Sequence, residues 1–282
     1  MNNKVIKIGC LLLGCYLISC SSGKRETDND SEASDTIAIV VDTVQVEEVE
    51  ESPKPIRADE SFDDFIYIFS SNKKLQEERI VFPLPVYNID EPEKIPKEAW
   101  EHDFLYTKDS LYTLLFDKEE DMDLIGDSEL TSVQFEWIFI PTKLVKKYYF
   151  ERVEGAWLLE AINIRKMEED DNEQFIDFYS RFATDSVFQM SRITNPITFV
   201  TSDPDDDFSI LETTIGVNQW LAFKPILPYE KLSNINYGQR NEDKSKTKIL
   251  ALKGIGNGFS NILYFRIRNS RWELYKFEDT SV

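Results

Sequence analysis

An internal repeat is the feature that most constrains this chain. Residues 62–69 align with residues 175–182 at an offset of 113, and the match continues without a gap. From Phe62 to Leu84, eight of the 23 positions carry the same residue in the second copy. A period of this length belongs to a whole domain and not to the small unit of a solenoid. The sequence therefore predicts that one domain has been duplicated in tandem.

The C-terminal parts of the two copies repeat as well. A Phe-x(6)-Trp-x-Leu pattern begins at Phe150 and again at Phe265, an offset of 115 that implies a net insertion of two residues. Together the matches place a first α+β repeat over residues 59–166 and a second over residues 167–282. The chain after residue 58 is long enough for two small domains, each with a core of its own.

Each copy begins with a helical pattern. Phe62, Phe65 and Phe69 have the i, i+3, i+7 spacing of an amphipathic helix, and three phenylalanines of the second copy repeat it. A second, shorter helix should contain Gln76 and end before Pro83, because proline disfavours helix in the residue that precedes it. The same order is expected in the second copy.

The rest of each copy has the composition of β-strands. In the first copy, aromatic and β-branched residues are concentrated in residues 135–140, 144–153 and 157–164. The pairs Glu154-Gly155 and Asn269-Ser270 are expected to form hairpin turns in the two copies. A middle helix is expected around Trp100 or Trp220. Helices followed by antiparallel strands predict the α+β fold class.

The N-terminus has the three parts of a bacterial lipoprotein signal peptide. Lys4 and Lys7 give a basic start, residues 8–18 are mostly apolar, and a serine stands immediately before Cys20. The apolar stretch is shorter than the roughly 20 residues of a membrane-spanning helix, so it indicates an export signal. We predict that residues 1–19 are removed and that Cys20 carries the lipid that attaches the protein to a membrane.

Residues 20–58 have the composition of an acidic, disordered tether. Ser, Thr, Asp and Glu dominate this segment, and no aromatic residue occurs between Tyr16 and Phe62. Such a segment has little apolar surface to offset the entropy of ordering it.

The mature chain should have no thiol other than the one at Cys20. The expected location is the outer membrane, facing the periplasm, with display on the cell surface as the alternative.

The order of these elements resembles the cone of the nuclear-transport-factor-two-like (NTF2-like) fold. The tandem arrangement behind a lipobox, with Asp-Phe-x(3)-Phe and Gln-x-x-Arg-Ile-x-x-Pro elements, is similar to an uncharacterised lipoprotein family of Bacteroidetes. The resemblance implies two cone-like domains, each with N-terminal helices packed on a curved antiparallel sheet. It implies no particular chemistry, because this fold hosts isomerases, dehydratases and binding modules alike.

The charge of the chain limits its partners. Its 52 acidic residues exceed its 32 basic ones, for a formal net charge of −20. Nucleic acids and anionic membrane surfaces bind proteins through clustered Lys and Arg. We therefore expect no nucleic-acid partner, and we expect contact with the membrane only through the lipid at Cys20.

Three polar residues recur at equivalent positions of the two copies and form the candidate site: Asp64, Gln76 and Arg79 in the first copy, and Asp177, Gln189 and Arg192 in the second. In each copy the acid precedes the arginine by fifteen residues, so two antiparallel helices would let them pair. One interpretation is a polar network at the mouth of a pocket, where the arginine binds a carboxylate or a phosphate. The other, which we prefer, is a structural ion pair with a glutamine that joins the helices.

No cofactor and no metal site are predicted. His102 is the only histidine, and we expect it on the surface, without a role in a catalytic triad. Asp203, Asp205 and Asp207 have the spacing that opens a calcium-binding loop, but the glycine and the glutamate that this loop requires are missing. A solvated acidic turn is the expected structure there.

Two functions from different classes remain. The preferred one is a lipid-anchored envelope protein that binds a small molecule, a peptide or a partner protein without catalysis. The alternative is a small-molecule enzyme of the isomerase or dehydratase type, which uses a pocket carboxylate and a tyrosine for proton transfer. It requires a carboxylate buried among aromatic side chains, and the linear sequence identifies no catalytic residue. Whether the cones are open or filled by their own side chains distinguishes the two functions.

Overall fold

The structure is a computed structural model that describes residues 53–168, 172–203, 205–239 and 245–282. The predicted signal peptide, Cys20 and most of the predicted tether lie outside these residues. The described residues belong to a single compact unit of the chain. None of the helices in this part of the chain is long and apolar enough to cross a membrane.

Each repeat opens with two short helices, as the phenylalanine stripes predicted. Caps define several of their ends, because Ser61, Asn72 and Asp185 each accept a backbone N–H bond from the turn that follows. The four helices are α1 (Phe62–Ser71), α2 (Lys73–Glu78), α3 (Glu173–Thr184) and α4 (Ser186–Met190). The middle segment is a 3-10 turn at Lys97–Ala99 in the first repeat and the helix α5 (Val217–Phe223) in the second.

In the described residues, twelve strands form two six-stranded sheets, and the fold class is α+β, as predicted. The strands of the first half are β1 (Leu84–Tyr87), β2 (Glu93–Ile95), β3 (Leu111–Phe116), β4 (Ser132–Phe139), β5 (Leu144–Val153) and β6 (Ala156–Lys166). Those of the second half are β7 (Ile193–Asp203), β8 (Asp206–Ile215), β9 (Lys231–Asn236), β10 (Thr247–Gly254), β11 (Ser260–Arg268) and β12 (Arg271–Asp279).

The predicted hairpin turns join the last two strands of each repeat. Glu154 and Gly155, with φ of 51° and 85°, connect β5 to β6. Asn269 and Ser270, with φ of 51° and 58°, connect β11 to β12. Two successive residues with positive φ are typical of the turn whose twist matches a two-residue hairpin. These four residues were identified correctly from the sequence.

The two repeats exchange one strand. The first sheet has the order β2-β1-β6-β5-β4-β9, and the second has the order β3-β10-β11-β12-β7-β8. Strand β9 of the second half thus pairs with β4, while β3 of the first half pairs with β10. Because β3 and β9 each follow the middle segment of their own repeat, they are equivalent strands. Neither half of the sequence completes its sheet without the other. The limits 59–166 and 167–282 therefore describe the two sequence repeats, and they remain a prediction.

The exchanged strands are edge strands, and their edges meet. The N–H of Thr113 donates to Ser233 Oγ at 2.7 Å, and the N–H of Leu115 donates to Asn234 Oδ1 at 2.8 Å. The Thr113 hydroxyl in turn donates to the Ser233 carbonyl at 2.6 Å. Side chains of one sheet thus satisfy backbone groups of the other sheet. Unpaired strand edges invite association with other chains, and this contact covers both of them.

Residues 53–58, which the sequence analysis assigned to the tether, lie against the first repeat. The Lys54 carbonyl accepts a hydrogen bond of 2.9 Å from Arg79, and Ala58 is buried. A 3-10 helix, Arg57–Glu60, then leads into α1. These contacts form because the first repeat provides a buried guanidinium that needs oxygen acceptors, which composition alone does not reveal.

Candidate functional site

The helix side of each cone is filled by its own aromatic side chains. In the first repeat, Phe62, Phe65 and Phe69 pack on Phe150 and Trp157, with ring centroids 5.1–6.4 Å apart. The second repeat builds the same cluster at the equivalent positions, which are Phe175, Phe178, Phe182, Phe265 and Trp272. Edge-to-face packing of this kind leaves no room for a ligand between α1 and its sheet.

Arg79 is buried, and its partner is not the aspartate that the spacing indicated. Its Nη2 donates to Asp59 Oδ2 at 3.0 Å, and both side chains are at most 2% exposed. Asp59 also accepts the N–H of Ile56 at 2.7 Å and that of Trp157 at 3.1 Å. The carboxylate therefore joins three segments of the first repeat. This ion pair is structural, because neither charge is accessible to a ligand.

The predicted pairs Asp64–Arg79 and Asp177–Arg192 do not form. Asp64 is exposed in the first turn of α1, where its negative charge stabilises the helix by interacting with the helix dipole. Asp177 is also exposed and pairs with Lys143 at 2.8 Å. Arg192 lies with its guanidinium 4.8 Å from the centre of the Phe188 ring. Both aspartates lie on the solvent-facing side of their helices, and each arginine follows a short helix, α2 or α4, that does not bring it to that side.

Gln76 and Gln189, in contrast, have the same role in both repeats. The Nε2 of Gln76 donates to the Phe69 carbonyl at 3.0 Å, while its Oε1 accepts the Trp100 indole N–H at 3.0 Å. Gln189 makes the equivalent bonds, to the Phe182 carbonyl at 2.9 Å and from Trp220 at 3.3 Å. Both glutamines are buried. Each therefore joins the end of the first helix to the middle segment, which agrees with the structural interpretation.

Asp63 is a carboxylate among tyrosines, and the repeated polar residues did not indicate it. Its Oδ1 accepts the Tyr237 hydroxyl at 2.7 Å, and its Oδ2 accepts the N–H of Gly126 at 3.0 Å. Burial raises the pKa of Tyr237 well above its ordinary value, and the charge of Asp63 raises it further. The pKa of Tyr106 is also raised, by burial and then by Tyr112 and Asp63. Asp63 thus connects α1 with the segments that follow the exchanged strands β3 and β9.

An open cleft lies where the two repeats meet, and we call it the exchange cleft. Its volume is about 830 Å³. Three groups of residues line it: residues 109–113 at the start of β3 with Trp137 of β4, residues 226–231 with Ser233 of β9, and residues 257–259 with residues 281–282. The cleft exists because the exchange brings the beginnings of β3 and β9 side by side.

The floor of the exchange cleft contains a cation on an aromatic ring. Lys231 Nζ lies 3.9 Å from the centre of the Trp137 ring and 3.1 Å from Asp109 Oδ2. Trp137 faces Ser233 across the β4–β9 ladder, so Lys231 is its diagonal neighbour and can reach the ring. Trp137 is only 8% exposed and packs edge-on against Phe135 of the first core. The aromatic platform is therefore rigidly held.

One wall of the exchange cleft continues into exposed apolar surface. Ile226 is 90% exposed and Tyr229 is 55% exposed, and both line the cleft. Leu221 and Phe223, which precede them in the chain, are exposed as well. Single exposed apolar residues are common, but several in one segment beside a cleft are typical of a binding surface.

A second, smaller hollow of about 470 Å³ lies on the second repeat between β7 and the β11–β12 hairpin. Its lining is mainly polar and includes Arg266 and Glu273, which pair at 2.9 Å. The Arg266 guanidinium also lies 4.7 Å from the centre of the Tyr275 ring. The hollow is smaller than the exchange cleft and has little apolar lining, so it is a weaker candidate for binding an organic ligand.

The remaining sequence candidates contribute no site. His102 is half-buried against Phe104, and its Nε2 has no hydrogen-bond partner within the described part of the chain. Asp203 closes the turn between β7 and β8 by accepting the N–H of Asp205 at 2.9 Å. Among the described residues, no group of three His, Cys, Asp or Glu side chains is arranged to hold a metal ion.

Sequence reasoning missed the residues of the exchange cleft. Asp109, Trp137 and Lys231 come from three distant segments, and only the strand exchange brings them together. The sequence did predict the strand that contains Trp137, from its aromatic and β-branched residues. No spacing or motif in the sequence connects it with Lys231.

The sequence matches a family described as a domain of unknown function, DUF4348, over residues 41–279. The chain belongs to this family. The crystal structure of an NTF2-like protein from Bacteroides fragilis is also similar, with 67% sequence identity and a TM-score of 0.77. The match covers 82% of this chain and 100% of that chain. These findings confirm the resemblance to the NTF2-like fold and to an uncharacterised family. No protein with a curated description matches the chain.

Proposed function

We propose that this protein is attached to the outer membrane by lipid at Cys20, faces the periplasm, and binds a small molecule or a short peptide in the exchange cleft without changing it. The observation that carries this proposal is the contrast between the cleft and the cones. The cleft is open and has apolar walls, whereas both cones are filled by aromatic side chains. Its volume of about 830 Å³ falls within the roughly 300–1,000 Å³ of small-ligand pockets.

Binding can be tested by thermal shift on residues 53–282. The whole of the crystallised relative matches 82% of this chain. We therefore expect a segment of that length, such as residues 53–282, to fold by itself. The library should contain envelope metabolites, glycan fragments, bile acids and short peptides. A ligand at a hundred times its dissociation constant should stabilise the fold by about 2.7 kcal/mol. If no compound shifts the melting temperature, small-ligand binding is refuted and a protein partner becomes the remaining binding function.

The site of binding can be tested with substitutions of exposed residues. Ile226→Asp places a charge on the cleft wall at a position that is 90% exposed, so the fold should tolerate it. Val187→Asp is the matched control, because Val187 is 72% exposed and does not line the cleft. We expect only the first variant to reduce the thermal shift. Equal effects of both variants would place the ligand elsewhere.

The lipid anchor can be tested by labelling cells with radioactive palmitate. Cys20→Ser should abolish incorporation and release the protein from the membrane fraction, because lipoprotein processing requires the thiol at that position. Cys15→Ser is the matched control, since this cysteine lies within the predicted signal peptide and should leave labelling unchanged. Label that persists in the Cys20 variant would refute the anchor.

A second function, proton-transfer catalysis, has one observation in its favour, which is the carboxylate of Asp63 among tyrosines. Both of its oxygens accept hydrogen bonds from within the protein, and Asp63 does not line either of the two cavities described above. A general base needs a free oxygen within reach of the substrate. Turnover of a cleft ligand that is lost in Asp63→Asn, with binding retained, would establish the enzyme instead.

A further inference from the structure

The charges of the exchange cleft have a consequence for its ligand. Three charged side chains line it, and these are Asp109, Glu230 and Lys231. Lys231 is paired with Asp109, and no described residue forms an ion pair with the exposed side chain of Glu230. The protein as a whole carries a formal charge of −20. The cleft therefore has an excess of negative charge, which favours a cation over an anion.

The aromatic side chains of the cleft favour the same kind of ligand. Tyr112, Trp137, Tyr229 and Phe259 all line it. The negative face of an aromatic ring attracts an ammonium group, most strongly in tryptophan, and several rings together bind quaternary ammonium groups. Lys231 demonstrates this attraction within the protein itself, because its ammonium lies 3.9 Å from the centre of the Trp137 ring.

The position that Lys231 occupies can be vacated. Its side chain is 42% exposed and that of Asp109 is 40% exposed, which makes their ion pair weak and open to competition from solvent. The backbone of Lys231 is held in the β4–β9 ladder, but the flexible stem allows the ammonium to leave the ring. When Lys231 moves away, Trp137 and Asp109 remain as a ring face beside a carboxylate.

We infer that the exchange cleft binds an organic cation, an amine or quaternary ammonium group carried on an apolar body, and that Lys231 occupies the cation position when the ligand is absent. The ligand's charged group displaces the ammonium of Lys231 from the Trp137 ring and from Asp109. Its apolar body lies along Ile226 and Tyr229. This inference rests on the proposed binding function of the cleft and adds the chemical class of the ligand.

The test compares three probes that share one apolar chain and differ in charge. Decyltrimethylammonium, decyl maltoside and decanoate are titrated into residues 53–282 by calorimetry, each below its critical micelle concentration. We expect the cation to bind at least about fivefold more tightly than the neutral probe, because the ring and Asp109 both attract it. The anion should bind more weakly than either. Nuclear magnetic resonance shifts of the Trp137 indole should report the site.

Substitution of Lys231 makes the test specific. Lys231→Met retains most of the stem but removes the competing charge, so it should strengthen binding of the cation at least about threefold and leave the neutral probe unchanged. Lys143→Met is the matched control, because it changes the net charge equally at an exposed lysine that does not line the cleft. Asp109→Asn should weaken binding of the cation.

The outcomes separate this inference from the proposed function. If decyl maltoside or decanoate binds in the cleft at least as tightly as the cation, the cleft binds ligands but the inferred class is wrong. If Lys231→Met and Lys143→Met have equal effects, the cation does not compete with Lys231, and the inference is again wrong. If none of the three probes binds and the library also gives no shift, the proposed function and the inference fail together.

Discussion

The two repeats share an aromatic core but differ in how each anchors its arginine. The first repeat has Asp59 three residues before its first phenylalanine, and this carboxylate pairs with buried Arg79. The second repeat has Asn172 at the equivalent position, and its side chain bonds to Lys248. Arg192, the counterpart of Arg79, lies on the Phe188 ring instead. Equivalent arginines are thus buried in one repeat and half-exposed in the other. The difference follows the residue that precedes the repeated motif, which is Asp59 in the first repeat and Asn172 in the second.

The largest difference between the repeats should appear when each arginine is replaced. Arg79→Met leaves the Asp59 carboxylate buried without its partner and should lower the free energy of unfolding by about 3–5 kcal/mol. Arg192→Met removes only a ring contact and should cost less than about 1 kcal/mol. Urea unfolding of both variants measures the contrast. Similar losses of stability in the two variants would show that the buried Asp59–Arg79 pair stabilises the protein no more than the exposed ring contact does.

The glutamines should behave alike in the two repeats, which sharpens the comparison. Gln76→Met and Gln189→Met each remove the partner of an indole N–H and of a backbone carbonyl, at a cost of about 2–3 kcal/mol. A double-mutant cycle with Trp100→Phe or Trp220→Phe should give a favourable coupling energy in each repeat. If coupling is measurable in only one repeat, the shared role of the glutamines is wrong.

Two buried tyrosines allow a comparison of pH dependence. The Tyr148 hydroxyl donates to Asp103 at 2.5 Å in the first repeat, and the Tyr179 hydroxyl donates to the Pro228 carbonyl at 2.9 Å in the second. Burial raises the pKa of both, and the charge of Asp103 adds to the effect at Tyr148. The native state therefore holds these protons more tightly than the unfolded chain does. Their contribution to stability is complete below about pH 10 and is lost as the pH rises further.

We expect Tyr148→Phe to cost about 2 kcal/mol and Tyr179→Phe about 1 kcal/mol at pH 7, because the first tyrosine donates to a charged acceptor. Each variant should also lose stability less steeply than the parent between about pH 10 and 12. Urea unfolding at a series of pH values measures both effects. An alkaline slope that is identical in parent and variants would contradict the assignment.

The smallest effect is expected at Asp121, in the 3-10 helix that follows β3. Burial raises the pKa of Asp121, so the native state binds the carboxyl proton more tightly than the unfolded chain does. The stability of the protein therefore falls as the pH rises and Asp121 loses this proton. Asp121→Asn should stabilise the protein at pH 7 by less than about 1 kcal/mol, with no gain below about pH 4. Asp123→Asn, at an exposed position of the same turn, should show neither effect.

Much of the fold could be predicted from the sequence because local patterns determine it. The stripes of Phe62, Phe65 and Phe69 and of their counterparts indicated the helices, and strand β5 was predicted with the bounds that it has. The polar residues were predicted less well. The spacing of Asp64 and Arg79 indicated a pair, but ion pairs depend on which groups are buried together, and only Asp59 is buried beside Arg79.

The sequence by itself determined the duplication, the order of helices and strands, and the aromatic residues that fill each cone, because these depend on contacts repeated within each copy. Only the tertiary structure decided where β3 and β9 pair. An alternating strand pattern specifies which face of a strand is buried, but it does not specify the neighbouring strand. The exchange cleft depends on that choice, since Asp109, Trp137 and Lys231 meet only when β9 lies beside β4.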